Sequence, residues 1–211
     1  MDGSLDNVDS RNLDIFKEIG NIGAGNAATA LANMFNKQII TGVPDVRIVP
    51  FNDIINIMDG PENVVAGVLV DMSGDLNGFI LMVVGIKDAY EMISIALDED
   101  RPVPASFYHD SMSELDQSAL SEIANILTGA YLSAICTLTG LNITPSVPQL
   151  AIDMVGAIIS IVAIEYGKIG DSVLFLKTNF SDIKKTLSGH FFLIPDYASY
   201  KILIDSLGMT F

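Results

Sequence analysis

Residues 18–44, EIGNIGAGNAATALANMFNKQIITGVP, decide the fold because the same stretch occurs twice. Residues 122–148, EIANILTGAYLSAICTLTGLNITPSVP, align with it without a gap, 104 positions further along the chain. Average composition gives about two identities over such a length, but nine of the 27 pairs are identical: Glu18/Glu122, Ile19/Ile123, Asn21/Asn125, Ile22/Ile126, Gly25/Gly129, Ala30/Ala134, Ile39/Ile143, Val43/Val147 and Pro44/Pro148. The chain is therefore predicted to contain two copies of one structural unit.

The repeat organises the rest of the chain as a single pseudo-two-fold domain over residues 1–211. Repeat one spans about 10–97, a linker with Pro102 and Pro104 spans about 98–113, and repeat two spans about 114–211. Each repeat reads as a long helix, a short strand, a short helix, two strands and a final helix. The predicted strands are 45–49, 63–72, 78–84, 149–153, 172–179 and 190–194. The apolar segment 155–166 is predicted to be a helix because it aligns with 52–59, whose apolar residues follow a helical spacing.

Composition excludes several classes of protein. The 11 basic and 26 acidic side chains give a net charge of −15, so nucleic acid is not an expected partner. Cys136 is the one cysteine, which excludes an internal disulfide, and with only His109 and His190 it is too sparse for a metal cluster. Polar residues and prolines interrupt the uncharged segment after Ile123, so membrane insertion is not expected. The polar, acidic N-terminus carries no secretory signal pattern, and a cytoplasmic location is predicted.

A polar residue, an acid and an amide recur in both predicted long helices at spacings of four and three. These side chains share one helical face: Asp14, Glu18 and Asn21 in the first copy, and Ser118, Glu122 and Asn125 in the second. A solvated helix face with an incidental Asn is the alternative interpretation. Because Glu and Asn recur in both copies while neighbouring positions such as Asn26 and Ala130 differ, the functional interpretation is favoured.

With Pro44 and Pro148, each of which follows its Asn after 22 intervening residues, this pattern resembles the phosphatase motif of the CheC, CheX and FliY family of bacterial chemotaxis. The resemblance is closest to the CheC type and covers essentially the whole chain. It implies an α/β fold: a central, largely antiparallel sheet shared by two pseudo-symmetric repeats, with the two long helices packed together and their motif residues facing outward. By this matching, Asp14, Ser118, Pro44 and Pro148 are motif-supporting residues.

The resemblance also implies an activity, namely hydrolysis of the aspartyl phosphate on a CheY-type response regulator. Asn21 and Asn125 would position the attacking water, and Glu18 and Glu122 would hold the regulator through its active-site lysine. No cofactor of the chain's own is expected, because the regulator supplies Mg²⁺. The duplicated chain can satisfy internally the pairing that a single-motif relative needs a second subunit for, so a monomer is predicted.

A second hypothesis, also implied by the resemblance, is a non-catalytic interaction module that binds and regulates the receptor deamidase CheD. The predicted second-repeat helix is longer than its counterpart, and its apolar residues Ile158, Ile161 and Val162 are the candidate contacts. Such a helix fits a buried core as well as a docking face.

The segment from Gly23 to Ala28 also fits the G-x-G-x-x-A fingerprint of dinucleotide-binding proteins. That fingerprint needs a preceding strand, whereas the preceding residues here read as helix, and the second copy has Leu127 in place of Gly23. Dinucleotide binding is therefore disfavoured. Close contact between the two long helices is instead predicted along a series of small residues: Gly25, Ala28, Ala32, Gly129, Ser133 and Cys136.

Overall fold

Two long helices of 26 residues each dominate the computed structural model, which describes residues 10–104, 112–165, 172–181 and 186–208. Helix α1 spans Ser10–Phe35 and α4 spans Glu114–Thr139. The two helices occupy the same positions of the two repeats, offset by 104 residues. The residue after each helix adopts a left-handed backbone conformation, with φ of 50° at Asn36 and 72° at Gly140, so the repeat extends to the way in which the helices end.

The remaining elements follow in the predicted order. Repeat one continues with β1 (Ile40–Thr41), β2 (Asp45–Pro50), α2 (Asp53–Ile57), β3 (Val64–Gly74), β4 (Gly78–Gly85) and α3 (Ile86–Leu97). Repeat two continues with β5 (Ile143–Pro145), β6 (Gln149–Met154), α5 (Val155–Glu165), β7 (Ser172–Ser181), β8 (Thr186–Pro195) and α6 (Tyr197–Ser206). The six predicted strands are present, and α5 is a helix longer than α2, as the repeat predicts. The short strands β1 and β5 were not predicted. His109 and Tyr166 lie outside the described residues.

The eight strands of the described residues form one sheet, and every pairing in it is antiparallel. The strand order is β1, β7, β8, β4, β3, β5, with β2 also pairing with β7 and β6 also pairing with β3. Strands β4 and β8 meet at the centre, where Leu81 lies opposite Phe192. The predicted α/β fold with an antiparallel sheet shared by both repeats is confirmed.

The two repeats exchange their first two strands. Strands β1 and β2 of repeat one pair with β7 of repeat two, and strands β5 and β6 of repeat two pair with β3 of repeat one. Each repeat thereby completes the sheet of the other. If the two repeats were separated, the outer edges of both β3 and β7 would be unpaired, and unpaired strand edges favour aggregation.

Helices cover both faces of the sheet. On one face, α1, α3, α4 and α6 contribute to the larger hydrophobic core. On the other face, the two short helices α2 and α5 contribute to a second core with Phe79, Phe175 and Phe192 of the strands. The motif helices therefore lie on one side of the sheet and α5 lies on the opposite side.

Helices α1 and α4 approach each other at Gly23 and Tyr131. A Cβ atom at Gly23 would overlap the Tyr131 ring, lying 2.8 Å from its Cε1. The ring is buried against Phe191, with 4.8 Å between the ring centroids, and its hydroxyl is hydrogen-bonded to the hydroxyl of Thr178. Burial raises the pKa of Tyr131 to about 12. Gly23, in the middle of α1, thus makes room for a fixed aromatic ring.

The predicted contact along the small residues is wrong for the two glycines in that series. A Cβ atom at Gly25 or Gly129 would have no neighbour within 4 Å. The buried face of α1 instead contains Phe16, Gly23 and Ala27. Helical spacing places Gly25 on the opposite face, because it follows Asn21 by four residues.

Helix α4 is long and apolar enough to cross a membrane by composition alone. More than half of its apolar segment is buried inside the protein, against α1, α3 and the sheet. Its start is fixed by Ser113, whose hydroxyl accepts a hydrogen bond from the Asp116 backbone N–H. The buried Asp116 carboxylate is also 3.5 Å from the guanidinium of Arg101. The apolar character of α4 is that of a core helix.

Candidate functional site

All six predicted helix residues of the motif lie on exposed helix faces. Asp14, Glu18 and Asn21 are exposed on α1, and their counterparts Ser118, Glu122 and Asn125 are exposed on α4. The opposite faces of both helices are buried in the larger core. The motif side chains are therefore held outward by rigid helices.

The second copy of the motif lines an open groove of about 810 Å³ between α4 and the loop that joins β5 to β6. Pro148 belongs to the wall of this groove together with Glu122 and Asn125, so residues separated by 22 positions in sequence share one site. The complete lining is Glu114, Gln117, Ser118, Ser121, Glu122, Asn125, Pro145, Ser146, Val147, Pro148 and Leu150.

Each motif proline is carried by a loop that the other repeat holds in place. The backbone N–H of Ser146 donates to the Asp71 carbonyl oxygen at 2.9 Å, and the Asp71 N–H donates to Ser146 Oγ at 2.9 Å. In the first copy, the N–H of Gly42 donates to the Asn179 carbonyl oxygen at 3.0 Å. Gly42 and Ser146 are aligned positions of the repeat. Both loops are therefore fixed to β3 or β7, the strands that pair with the exchanged strands.

In the first copy, Pro44 lies against α1. A Cβ atom at Gly20, the residue before Asn21, would be 3.5 Å from Pro44 Cβ and 2.8 Å from Val46 Cγ2. Gly20 thus lets the start of β2 pack closely against the helix, which sets the distance between the motif proline and the motif helix.

A valine precedes each motif proline and extends into solvent. Val43 is 90% exposed and Val147 is 83% exposed. The following proline restricts the backbone of each valine, and the branched side chain has little rotational freedom. Each copy of the motif therefore presents a stiff apolar side chain beside its polar residues.

The two copies differ in charge. In the first, the Lys17 ammonium is 2.8 Å from the Asp14 carboxylate. This ion pair offsets the repulsion expected between Asp14 and Glu18, which are like charges one helical turn apart. In the second, Ser118 and Ser121 replace Asp14 and Lys17, and the groove lining contains the two carboxylates of Glu114 and Glu122 with no lysine or arginine.

The candidate partner-binding residues on α5 differ in burial. Ile158 and Val162 are buried in the second core, whereas Ile161 is 57% exposed. Ile164, one residue before the end of the helix, is 81% exposed. Of these four residues, a partner of the folded protein can therefore contact Ile161 and Ile164 but not Ile158 or Val162.

The other chemically reactive residues lie apart from the motif. His190 stacks on Phe175, with 6.1 Å between the ring centroids, and its burial and the positive charge of Lys177 lower its pKa. Cys136 is half-buried on α4, three turns after Asn125. Within the described part of the chain, no group of three His, Cys, Asp or Glu side chains could hold a metal ion.

Four polar residues of the groove escaped the sequence analysis: Glu114, Gln117, Ser121 and Ser146. Glu114 and Ser121 follow from helical spacing around Ser118, and Gln117 precedes Ser121 by four residues, since positions three or four residues apart share a face. Ser146 carries no such signal, because its role depends on a hydrogen bond to Asp71, 75 residues away in sequence.

Comparison with known proteins is consistent with this architecture. A sequence model of the CheC-like family matches residues 12–48 and 115–152, which contain both copies of the motif. The CheY-P phosphatase CheC of Bacillus subtilis (strain 168) is 33% identical over 205 residues, which cover 96% of this chain and 97% of the relative.

Solved structures share the fold. The crystal structure of Thermotoga maritima FliY aligns with a TM-score of 0.72 at 17% identity, covering 96% of this chain and 98% of that one. A chain in the crystal structure of the CheX–CheY–BeF₃–Mg²⁺ complex from Borrelia burgdorferi aligns with a TM-score of 0.50 at 17% identity, covering 84% and 98%.

Proposed function

We propose, from the premise that this chain belongs to the CheC-like family, that it is a chemotaxis phosphatase that hydrolyses the aspartyl phosphate of a CheY-type response regulator. The observation that carries the proposal is the motif of Glu and Asn, present twice, exposed on rigid helices and, in the second copy, lining an open groove. The name of the Bacillus subtilis relative, CheY-P phosphatase, supports the same activity. We also propose that the protein acts in the cytoplasm and as a monomer. The monomer is supported by the groove of the second copy, which is lined by residues of one chain.

The side-chain amides of Asn21 and Asn125 would position the attacking water. An amide both donates and accepts hydrogen bonds, so it can orient a water in line with the bond between phosphorus and the aspartyl oxygen. Water then adds to phosphorus, the aspartyl carboxylate leaves, and inorganic phosphate is released. Mg²⁺ bound by the regulator would neutralise charge on the phosphoryl group. The chain itself needs to add only orientation.

Glu18 and Glu122 would hold the regulator next to the water-positioning amides. Each acid precedes its Asn by three residues and is exposed on the same helix face. A carboxylate there can pair with a cationic side chain of the regulator, such as its active-site lysine. Asp14, Ser118, Pro44 and Pro148 would support these residues by shaping the two sites.

The first prediction concerns substrate class. We expect the protein to accelerate the loss of phosphate from a phosphorylated CheY-type receiver domain and to leave a small phosphomonoester such as p-nitrophenyl phosphate unhydrolysed. The reason is that the proposed site positions water but relies on the regulator for Mg²⁺ and charge neutralisation. Decay of the labelled receiver with and without the protein is the measurement. Efficient turnover of the small ester after chelation of divalent metal ions would contradict the proposal.

The second candidate function is binding of the receptor deamidase CheD through α5. The favouring observation is that Ile161 and Ile164 are exposed on a helix that is longer than its counterpart α2. A partner that binds once per chain needs such an asymmetric feature. This surface lies across the sheet from the motif helices, so both functions can coexist.

The second prediction tests this surface. Ile161→Asp is expected to weaken CheD binding about tenfold or more, as loss of a central apolar contact does, and to spare phosphatase activity. Ile202→Asp on α6 is the matched control, because Ile202 is also exposed, at a different place. Ile158→Asp should instead unfold the protein, since Ile158 is buried. Unchanged CheD binding by a folded Ile161→Asp variant would place the partner surface elsewhere.

A further inference from the structure

Gly25 and Gly129 lie in the middle of the two long helices. Neither glycine has a packing role within the described residues. Each follows the motif Asn of its helix by four residues, so it lies on the motif face one turn further along. A Cβ atom at either position would meet nothing within 4 Å. Gly23 differs in this respect, because a Cβ atom there would overlap the Tyr131 ring.

The absence of a packing role leaves the two glycines unexplained by folding. Glycine inside a helix is destabilising relative to alanine, and an isolated mid-helix glycine usually has a packing or functional reason. Both repeats nevertheless have glycine at this aligned position, although the neighbouring pairs Ala24/Thr128 and Asn26/Ala130 differ. The repeated glycine therefore points to a requirement at the outer surface of the helix.

The direction of helical side chains identifies what a substituent would cover. The Cα–Cβ bond of a helical residue tilts toward the N-terminus, so its side chain lies over the preceding turn. A side chain at position 25 would lean over Asn21, and one at position 129 would lean over Asn125. The glycines thus leave one flank of each amide bare.

A second feature marks the same surface as unpartnered. Val147 lines the groove that contains Asn125 and is 83% exposed, and Val43 is 90% exposed in the aligned position of the first copy. A bare backbone together with an exposed apolar side chain fits a surface that another protein covers. Close approach of a backbone is one of the uses to which glycine is suited.

We propose that Gly25 and Gly129 are clearance positions for the docked regulator. Their missing side chains let the surface of a CheY-type receiver domain come close enough to α1 or α4 for the adjacent Asn amide to reach the phosphoryl group. This inference rests on the proposed phosphatase function and assigns the two glycines a positioning role in it. They position by leaving space and make no polar contact of their own.

The test replaces both glycines by residues that favour helix. Gly25→Ala/Gly129→Ala and Gly25→Gln/Gly129→Gln are expected to raise the melting temperature or leave it unchanged. The KM for the phosphorylated receiver is expected to rise in a graded way, by a few-fold with Ala and about tenfold or more with Gln, since small displacements of reacting groups are costly. The Kd for a receiver domain loaded with BeF₃⁻ and Mg²⁺ should rise in parallel.

The matched control moves the added side chain two turns beyond the glycines, where it covers neither the amides nor the glycine positions. Asn33 and Thr137 are aligned positions eight residues beyond the glycines, and both are exposed. Asn33→Gln/Thr137→Gln should leave the KM within about twofold of the unsubstituted protein. A larger effect here than at the glycines would overturn the proposed clearance role.

The outcomes separate this inference from the proposed function. If the unsubstituted protein dephosphorylates the receiver and the folded Gln variants keep the original KM and Kd, the clearance role is wrong and the phosphatase proposal stands. If the unsubstituted protein does not dephosphorylate the receiver, the proposed function fails first. A weaker affinity accompanied by lower thermal stability would indicate a structural role for the glycines and would also refute the inference.

Discussion

Asn21→Ala/Asn125→Ala is expected to lower the rate of receiver dephosphorylation by about 100-fold or more, because loss of a positioned reactant costs on that scale. Each amide is the proposed water-positioning group of its site, and the double variant removes both. The measurement is the decay of a phosphorylated receiver domain at a fixed ratio of the two proteins. Each single variant should retain the activity of the other site. The two single variants together therefore measure how much each site contributes to the total rate.

The loss of activity in the double variant is expected to come from the missing amide groups and not from a change in the fold. Both side chains are exposed on their helices, and surface substitutions of this kind change the free energy of unfolding by about 0.5 kcal/mol or less. Asn21→Asp/Asn125→Asp keeps the shape but replaces a donor by an acceptor and adds negative charge facing the phosphoryl group, so it should be equally inactive. Asn26→Ala, at an exposed α1 position off the motif face, is the control. Full activity of a folded double variant would refute the water-positioning role.

The largest expected effect on stability is at Gly23. Gly23→Ala is expected to lower the free energy of unfolding by about 1–3 kcal/mol, the usual cost of overpacking. The new methyl group would overlap the Tyr131 ring, which cannot move aside because it is buried against Phe191 and its hydroxyl is bonded to Thr178. Urea denaturation followed by far-UV circular dichroism gives the free energy directly.

Gly25→Ala is the matched comparison, two residues away in the same helix. A methyl group there meets no atom within 4 Å, so only the helix preference of alanine acts, and stability should rise by about 1 kcal/mol. The same substitution is therefore expected to have opposite signs at the two positions. Equal destabilisation at both would show that the helices do not cross at Gly23.

The sequence alone determined the features that depend on local spacing. The gapless alignment of the two stretches placed both long helices, and helical periodicity put Glu and Asn on one outward face, because three- and four-residue spacings fix a face whatever the helix packs against. The register of the repeat also predicted a helix over 155–166, although the segment is largely apolar and its own pattern fits a strand as well; the structure has helix α5 over Val155–Glu165. The six principal strands followed from their apolar patterns.

Only the tertiary structure decided which faces meet. Periodicity says that α1 has an inner and an outer face, but it does not say that Gly23 meets Tyr131, since that contact depends on how two distant helices cross. The exchange of β2 and β6, and the groove wall held by the Ser146–Asp71 hydrogen bonds, likewise join residues far apart in sequence. Helix α5 shows the same limit: its even apolar pattern could not say that Ile158 and Val162 face the sheet while Ile161 faces solvent. Local sequence fixes the shape of each element, whereas burial depends on the partner that the whole chain places against it.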